Sequence, residues 1–415
     1  MPQQFRSLSA ALTVLALAVS SASAQQYDLL IKGGHVIDAA NNIDGVRDVA
    51  VKGGLIARVA ENIPADQAKR TIDAGGLYVT PGLIDLHAHV FGYSGSILPD
   101  DTALLTGVTT VADCGGSGWR TFDEFKETVI DRVKTRVYAF INIVGHGMVG
   151  SRYESDDSDM DPVKTADKIK QYPDLIVGIK VAHYAKPGWN VIEQAIEAGN
   201  LANRPIIVDN TILSNTGRDT RTKLLEKFRP GDIHTHAYND RHLEIVNRFN
   251  GQIQPWMWEA RKRGVIFDLG HGNGSFVWPN AVAAMKGGFG PDTISTDLHQ
   301  ASILSSKSDM PNCISKMMAL GMSLKEAIYR STQRPAEVIK KYPEVGTLSE
   351  GRAADIAVFE LEQGVFAFAD AWRKKMMASR RLQAVLTVRG GEVVFDRDGR
   401  GFPEWRKAGQ YDVIE

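Results

Sequence analysis

Residues 80–89 read Thr-Pro-Gly-Leu-Ile-Asp-Leu-His-Ala-His, an apolar run that ends in two histidines one residue apart. Alternate residues of a β-strand point to the same side, so His87 and His89 would share one face. Two imidazoles on one face at the end of a strand can bind a single divalent ion. Two histidines one residue apart also occur by chance, so the surrounding sequence must show whether His87 and His89 bind a metal ion.

Seven further apolar runs follow this one, and helix-like or polar stretches separate most of them. Strands that alternate with helical stretches indicate parallel βα units. Eight such units in roughly 230 residues suit a (β/α)8 barrel of the TIM type, a fold that is typically ~250 residues long. A doubly wound open sheet is the structural alternative. The eight runs cover residues 82–87, 109–113, 137–143, 176–181, 205–209, 232–236, 265–271 and 293–297.

Both ends of the chain show a different pattern, in which glycine pairs separate short β-like runs. The pairs Gly33-Gly34, Gly53-Gly54 and Gly390-Gly391 each lie between two such runs and predict tight hairpins. The two ends are therefore expected to form one small β-sandwich beside the barrel. The predicted domains are a β-sandwich of residues 25–80 and 345–415 and a barrel of residues 81–344.

Polar residues are concentrated at the carboxyl ends of the barrel runs. In a barrel these ends meet on one face, where active sites are built. Random placement would not favour the same end of so many strands, so this convergence carries more weight than any single motif. The residues are His87, His89, Lys180, Asp209, His236, His271 and Asp297.

The composition excludes several classes of protein. The 415 residues include 48 Lys and Arg and 49 Asp and Glu, with 43% hydrophobic and 23% charged residues. These fractions are ordinary for a soluble globular protein and exclude a disordered chain. The balanced charge, with no basic patch or amphipathic anchor, predicts no nucleic-acid partner and no membrane partner. A small-molecule substrate is expected, and a homo-oligomer is compatible with these features.

The first 24 residues predict a secretory signal peptide. Arg6 precedes an apolar run at residues 10–19 that is too short to span a bilayer, and Ala22-Ser23-Ala24 matches a cleavage site. A buried N-terminal helix is the alternative. We therefore expect export to the periplasm or secretion. Cys114 and Cys313 could then form a disulfide, although nothing in the sequence shows that they meet.

In this setting, residues 80–89 closely resemble the first-strand signature of the amidohydrolase superfamily of metal-dependent hydrolases. The resemblance extends over most of the chain that follows the signal peptide. It is nearest to deacetylase-like and dihydroorotase-like members, on the segments 178–181, 267–276 and 293–299. It implies one or two divalent metal ions at the strand ends, with zinc as the expected metal, bound by His87 and His89 among others.

Lys180 ends the fourth apolar run, where an unpaired ammonium would be costly to bury. A neutral amine can react with CO2 to give a carbamate, an anion that can bridge two metal ions. The resemblance implies this carbamate on Lys180. The alternative is a lysine that reaches solvent or pairs with a carboxylate.

The resemblance implies that His236, at the end of the sixth run, binds the second ion. The fifth run departs from the family pattern, because Asp209 stands where relatives often carry histidine. A carboxylate can bind zinc, and manganese or iron more readily, so Asp209 is a candidate for a substituted ligand. Alternatively, the second ion is weakly held or absent, or the alignment of this strand is wrong. His234, two residues before His236, is expected to pack or to support the ligands.

The resemblance makes Asp297, at the end of the eighth run, both a metal ligand and the catalytic residue. A bound divalent ion can lower the pKa of its water to roughly 7, and a nearby carboxylate can then move the proton to the leaving group. The alternative role is that of a helix N-cap. The resemblance implies that His271 and Asn273 contact the substrate, and a loop histidine among turn glycines is the alternative for His271. The weaker candidates for the same pocket are His146 and His299.

These residues predict a hydrolase that uses a metal-bound hydroxide to cleave an acyl bond of a small molecule. The bond would be an amide or an ester, such as an N-acetyl or O-acetyl group. The alternatives within the family are a cyclic amide hydrolase of the dihydroorotase type and a deaminase. An exported binding protein that kept the barrel and lost catalysis through the departure at Asp209 is an alternative of a different class.

Overall fold

The computed structural model describes residues 25–209, 221–240, 245–247 and 249–409. The predicted signal peptide, residues 1–24, lies outside the described residues. Within the described ranges, no helix is both long enough and apolar enough to cross a bilayer. These ranges contain two sheets and a set of short helices.

Five strands come first along the chain: β1 (Tyr27–Asp38), β2 (Ile43–Lys52), β3 (Leu55–Ala60), β4 (Ala68–Asp73) and β5 (Tyr78–Pro81). β1 is antiparallel to β2 and parallel to both β4 and β5, and β3 pairs with β2. The predicted hairpin at Gly53-Gly54 joins β2 to β3. The one predicted at Gly33-Gly34 is wrong, because β1 continues through this pair as a bulge. Gly33 has φ 73°, and a Cβ on Gly34 would lie 2.4 Å from Cγ2 of Val79.

The next seven strands form a sheet in chain order: β6 (Leu83–Ala88), β7 (Val108–Gly118), β8 (Arg136–Asn142), β9 (Ile176–Val181), β10 (Ile206–Val208), β11 (Ile233–His234) and β12 (Ile266–Phe267). All neighbouring pairs are parallel. Every residue of β6, β7 and β9 is buried. Burial on both faces explains why these strands read as continuous apolar runs in the sequence. The seven strands coincide with the first seven predicted runs.

Residues 293–298 connect the two ends of this parallel sheet. On one side the backbone N–H of Leu269 donates to the carbonyl of Thr293 at 3.0 Å, and on the other side His89 donates to Leu298 at 2.9 Å. The segment makes isolated parallel bridges to both neighbours instead of a regular ladder. The sheet therefore curves until its first and seventh strands share one neighbour, at the place predicted for the eighth strand.

The last three strands are β13 (Ile356–Ala369), β14 (Lys375–Arg389) and β15 (Glu392–Asp396). β13 pairs antiparallel with β5, and the predicted hairpin at Gly390-Gly391 joins β14 to β15. Both chain ends thus share one mixed sheet in the order β15-β14-β13-β5-β1-β2-β3, with β4 beside β1. The prediction that the two ends form one β unit agrees with this sheet. β5 and β13 pair edge to edge and join the strands of the two chain ends, and the description of this sheet as a sandwich stays a prediction.

Twelve α-helices lie within the described ranges: α1 (Pro99–Thr102), α2 (Phe122–Phe125), α3 (Ser151–Glu154), α4 (Pro162–Gln171), α5 (Asn190–Ala202), α6 (Arg221–Lys227), α7 (Pro255–Lys262), α8 (Trp278–Lys286), α9 (Gln300–Ser306), α10 (Met310–Ala319), α11 (Leu324–Tyr329) and α12 (Gln333–Val338). Their apolar residues join those of the parallel strands in the main hydrophobic core. α10 also packs against β14, where the hydroxyl of Ser315 accepts from the N–H of Leu382 at 2.9 Å. The two sheets are therefore packed together through shared apolar contacts.

The two cysteines lie in separate elements, Cys114 in β7 and Cys313 in α10, and both are buried and free. They do not form the disulfide that export would permit. Burial raises the pKa of the Cys313 thiol well above its ordinary value. Cys313 therefore packs as a small apolar side chain, whereas Cys114 lies beside Lys180.

Candidate active site

Three predicted residues lie together at the carboxyl end of the parallel strands. One ligand atom from each of His87, His89 and Asp297 lies within 4.8 Å of the other two. Oδ1 of Asp297 is 2.9 Å from Nε2 of His89 and 3.6 Å from Nε2 of His87. Two imidazoles and a carboxylate at these distances form a ligand set for a divalent ion.

The backbone brings these residues together from the first and last parts of the barrel. His87 lies in β6, and its carbonyl accepts from the N–H of Asp297 at 2.7 Å. The carboxylate of Asp85 strengthens this junction by accepting from the N–H of His87 (3.3 Å) and from the N–H and hydroxyl of Thr296. Asp297 has a left-handed φ of 50°. Such a conformation is uncommon for a residue with a side chain and indicates that the surroundings impose it.

A chain of hydrogen bonds orients the ring of His87. The hydroxyl of Thr235 donates to Asp268 at 2.8 Å, so its oxygen accepts from Nδ1–H of His87 at 2.9 Å. The hydroxyls of Thr293 and Ser295 also donate to Asp268, each at 2.6 Å. This arrangement leaves the lone pair of Nε2 of His87 directed at the site. The sequence analysis did not select Thr235 and Asp268 as site residues, although they lie in the predicted strand runs 232–236 and 265–271.

Burial and neighbouring charges set the protonation of the three-residue group. Burial raises the pKa of the Asp297 carboxyl, but the imidazoles of His87 and His89 lower it more, so this pKa lies below the ordinary 3.8. Burial lowers the pKa of His87 well below the ordinary 6.5, and the ammonium of Lys180 lowers it further. The group therefore presents a carboxylate and a neutral imidazole at neutral pH, the forms that bind metal ions.

Lys180, in β9, is completely buried among the predicted ligands. Its Nζ is 3.2 Å from Nε2 of His87 and 3.7 Å from Oδ2 of Asp209. Burial lowers the pKa of Lys180, but Cys114, Asp209 and Asp297 raise it more, so this pKa lies above its ordinary value. The ammonium thus balances the charge of two nearby carboxylates.

The fifth and sixth strands place Asp209 beside His236. Oδ1 of Asp209 is 3.0 Å from Nε2 of His236. Nδ1–H of His236 donates to the carbonyl of Gly270 at 2.6 Å, which leaves Nε2 free to face the carboxylate. Burial raises the pKa of Asp209, but His236 and Lys180 lower it well below the ordinary value, so Asp209 is ionised. The residue that departs from the family pattern therefore reaches the same group of side chains as the other predicted ligands.

His271 is buried near Asp297, and both of its ring nitrogens have partners. Nδ1 is 2.8 Å from the carbonyl of Gly272, and Nε2 is 2.8 Å from Nζ of Lys316. Asn273 is exposed in the turn that follows. Substrate binding by His271 and Asn273 stays a prediction. The imidazole of His271 could bind a substrate through Nε2 only if Lys316 moved away from that nitrogen.

Three other histidines have different surroundings. His234 is buried, and burial lowers its pKa to about 4, as expected for a packed residue. His299 lies at the site, with Nδ1 2.9 Å from the backbone carbonyl of Asp297. His146 pairs with Asp159 at 2.7 Å and is half exposed. Of the two weaker candidates, His299 therefore contacts the three-residue group directly.

The donor set suits a divalent ion. His87 and His236 are each held through Nδ1 by a hydroxyl or a carbonyl, and each keeps Nε2 directed at a carboxylate. Support of the second ring nitrogen is the usual arrangement for histidines that bind metals. The residues of this site therefore fit the metal chemistry that their types predict.

Comparison with known proteins gives the same class of protein. The sequence model of the Amidohydrolase family matches residues 278–394. A deacetylase from Enterococcus faecalis is 29% identical over 373 residues, which cover 88% of this chain and 99% of the relative. The crystal structure of an adenine deaminase matches with a TM-score of 0.80 at 29% identity and covers 89% of this chain and 100% of its own. A dihydroorotase structure matches with a TM-score of 0.77 at 25% identity, over 89% of this chain and 99% of its own.

Fold, strand-end site and relatives together define a hydrolase that acts on carbon–nitrogen bonds. The chain belongs to the amidohydrolase superfamily. The resemblance inferred from residues 80–89 is therefore confirmed.

Proposed function

We propose that this protein removes an acyl group, such as an N-acetyl or O-acetyl group, from a small molecule by metal-dependent hydrolysis on a (β/α)8-type barrel. The observation that carries this proposal is the meeting of His87, His89 and Asp297 at the carboxyl end of the parallel strands, with ligand atoms within 4.8 Å. Similarity to the Enterococcus faecalis deacetylase over 99% of that protein's length favours an acyl bond as the target.

Two adjoining groups of side chains would hold the metal. When bound, a divalent ion such as zinc supplies a Lewis acid for the substrate carbonyl and acidifies the attacking water. Lys180, as a carbamate, would stand between the groups, since its Nζ is 3.2 Å from Nε2 of His87 and 3.7 Å from Oδ2 of Asp209. The first group is His87, His89 and Asp297, and the second is Asp209 and His236.

Asp297 is the side chain proposed to move the proton. Its lowered pKa keeps it ionised, so it can accept a proton from the attacking water as the new C–O bond forms. It then returns the proton to the departing nitrogen or oxygen as the acyl bond breaks. Gly272 leaves Oδ2 of Asp297 unobstructed on one side, where an added Cβ would lie only 2.3 Å from that oxygen.

Tyr93 is proposed to contribute to the substrate-facing wall. Its ring lies 4.5 Å from that of His89 and 5.5 Å from that of His299, and it is half buried. Burial raises the pKa of the Tyr93 phenol, and the carboxylate of Asp297 raises it further, so the hydroxyl keeps its proton. It can therefore donate a hydrogen bond to a substrate oxygen.

A hydrolysis screen separates the acyl proposal from the alternatives within the family. The zinc-loaded full chain is offered N-acetyl and O-acetyl compounds, cyclic amides and amino-substituted heterocycles, and released acetate, ring-opened acid and ammonia are measured. Acetate release that is lost in Asp297→Asn supports the proposal. Asp161→Asn, a change at the N-cap of α4, is the matched control and should keep wild-type activity. Ring opening alone or ammonia alone would assign the site to the other reaction types. Metal binding without turnover on any compound would favour the inactive binding protein.

Export is a separate proposal that rests on residues 1–24. Cleavage after Ala24 would leave Gln25 as the first residue of the mature chain. Cell fractionation with mass measurement of the N-terminus tests this proposal. Recovery of the uncleaved chain from the cytoplasm would contradict it.

A further inference from the structure

The second ion position has few ligands among the residues considered so far. Oδ1 of Asp209 faces His236 at 3.0 Å, whereas Oδ2 faces Nζ of Lys180 at 3.7 Å. Asp209 and His236 supply two side-chain ligands besides the proposed Lys180 carbamate, whereas zinc commonly takes four ligands. A further imidazole near Oδ2 of Asp209 would complete such a set.

His183 lies at this place. Its Nε2 is 3.8 Å from Oδ2 of Asp209, the carboxylate oxygen that does not face His236. Two ligand atoms that are each about 2.1 Å from a tetrahedral ion lie roughly 3.4 Å apart. The separations from the Asp209 oxygens to the two imidazoles, 3.0 Å and 3.8 Å, bracket this value, but they involve different oxygens, so an ion shared by all three residues must draw the two imidazoles together. The side chain of His183 is 39% exposed, so an ion arriving from solvent can reach it.

Glu154, the last residue of α3, holds the ring of His183 in this orientation. Its side chain is only 2% exposed, and Oε2 is 3.1 Å from Nδ1 of His183. Nδ1 faces this carboxylate, so Nε2 is the nitrogen that lies toward Asp209, where a neutral ring would present its lone pair to an ion. A carboxylate behind the imidazole is a common support for histidines that bind metal ions.

The backbone of His183 adds an independent observation. Its φ is 44°, in the left-handed region, as are those of His236 and Asp297. Asn203 and Lys307 share this conformation because each ends a helix, which is the usual local reason for it. His183 ends no helix. Such a backbone conformation is strained for a residue with a side chain and persists where the surrounding structure imposes it, often at functional sites.

We propose that His183 is a ligand of the second divalent ion, together with Asp209 and His236, and that Glu154 is its positioning residue. This inference rests on the metal-dependent function proposed above and adds a ligand from outside the strand-end pattern. Two imidazoles and one carboxylate favour zinc or a similar transition metal over calcium or magnesium.

The second position is also expected to bind its ion more weakly than the first. Among the described residues, the compact group of three ligands is His87, His89 and Asp297. Asp209, His183 and His236 are spread more widely, because the carboxylate of Asp209 lies between the imidazoles of the two histidines. Binding should therefore occur in two separable steps.

Metal titration of the full chain tests this inference without reference to activity. Protein freed of metal by a chelator is titrated with Co²⁺, with bound cobalt counted by mass spectrometry and its coordination followed by visible absorption. Wild-type protein should bind two ions. His183→Ala should keep the first step and lose the second, and Glu154→Gln should weaken the second by about 10–100-fold. His146→Ala removes a histidine that pairs with Asp159 instead, and it should titrate like the wild type.

Several outcomes would overturn the inference. Two-step binding that is unchanged in both His183→Ala and Glu154→Gln would do so, as would a wild-type chain that binds a single ion. Unchanged metal binding with a raised KM would make His183 a substrate contact instead. Glu154→Gln preserves side-chain shape and carries the test if His183→Ala does not fold. A wild-type chain that binds no metal would contradict the proposed function itself. Loss of the first binding step in His87→Ala would agree with that function, because His87 belongs to the first metal site.

Discussion

The ammonium of Lys316 lies 2.8 Å from Nε2 of His271, and both side chains are fully buried. Nδ1–H of His271 donates to the carbonyl of Gly272, so Nε2 accepts from Lys316 and the ring is neutral. Burial lowers the pKa of His271 well below its ordinary value, and Lys316 lowers it further. Because Gly272 lies against Asp297, the pair of Lys316 and His271 stabilises one wall of the active site.

Lys316→Met should remove a pH-dependent part of the stability. Burial lowers the pKa of Lys316 from 10.5 to about 8, so between these pH values the unfolded chain binds more protons than the folded chain. Lys316 therefore makes the free energy of unfolding rise with pH through this window, by about 3 kcal/mol in full.

Urea unfolding of wild type and Lys316→Met between about pH 7.5 and 9.5 measures this difference. The wild-type free energy of unfolding should rise with pH relative to that of Lys316→Met. Lys286→Met, a change at an exposed lysine of α8, should keep the wild-type pH dependence. Parallel pH profiles for wild type and Lys316→Met would contradict the prediction.

Gly272→Ala should reduce activity strongly. Gly272 has φ 54°, and an added Cβ would lie 2.3 Å from Oδ2 of Asp297, so the carboxylate must move. A displacement of about 1 Å at a reacting group can cost about 100-fold in rate. Gly231→Ala is the matched control, because Gly231 has φ 90° and an added Cβ would have nothing within 4 Å.

The steady-state kcat/KM of the two alanine variants distinguishes these effects. Gly231→Ala should lose about 1–2 kcal/mol of stability through backbone strain and keep its activity. If both variants lost activity to the same extent, backbone strain and not the position of Asp297 would account for the loss, and the prediction would be wrong.

Thr235→Val should weaken the first metal site. The change removes the hydroxyl that accepts from Nδ1–H of His87 and donates to Asp268. Loss of such support typically costs about 10–100-fold in metal affinity. Thr293→Val removes another hydroxyl from Asp268 without touching His87, and it should lower stability but leave the affinity near wild type. Competition with a chromogenic chelator measures both affinities, and equal values would refute a specific role for Thr235.

Carbamate formation on Lys180 should be coupled to metal loading. Burial lowers the pKa of Lys180, but Cys114 and the neighbouring carboxylates raise it more and favour the ammonium over the neutral amine that reacts with CO2. An entering cation replaces that positive charge, so metal and bicarbonate should promote each other's binding. Chelated protein should take up more zinc with bicarbonate than in CO2-free buffer, and Lys180→Met should show no such difference. Carbon NMR with labelled bicarbonate should show a carbamate signal, and its absence from metal-loaded wild type would contradict the prediction.

Strand order and strand-end chemistry could be predicted because they depend on local pattern. The apolar run at residues 176–181 became β9 with Lys180 buried, and Asp209 directly follows β10. The bulge at Gly33-Gly34 could not be predicted, since a glycine pair permits a hairpin as well as a bulge. Val79 on the neighbouring strand explains the glycine at position 34, because an added Cβ would lie 2.4 Å from its Cγ2.

The sequence alone determined which side chains stand at the carboxyl ends of the parallel strands, because buried apolar runs and alternation along a strand place their ends in one region. Only the tertiary structure decided how those side chains are oriented. Thr235 meets His87 across 148 positions of the chain, and Thr296 meets Asp85 across 211. Such hydrogen bonds depend on distances and angles between remote elements, which no local pattern of residues encodes.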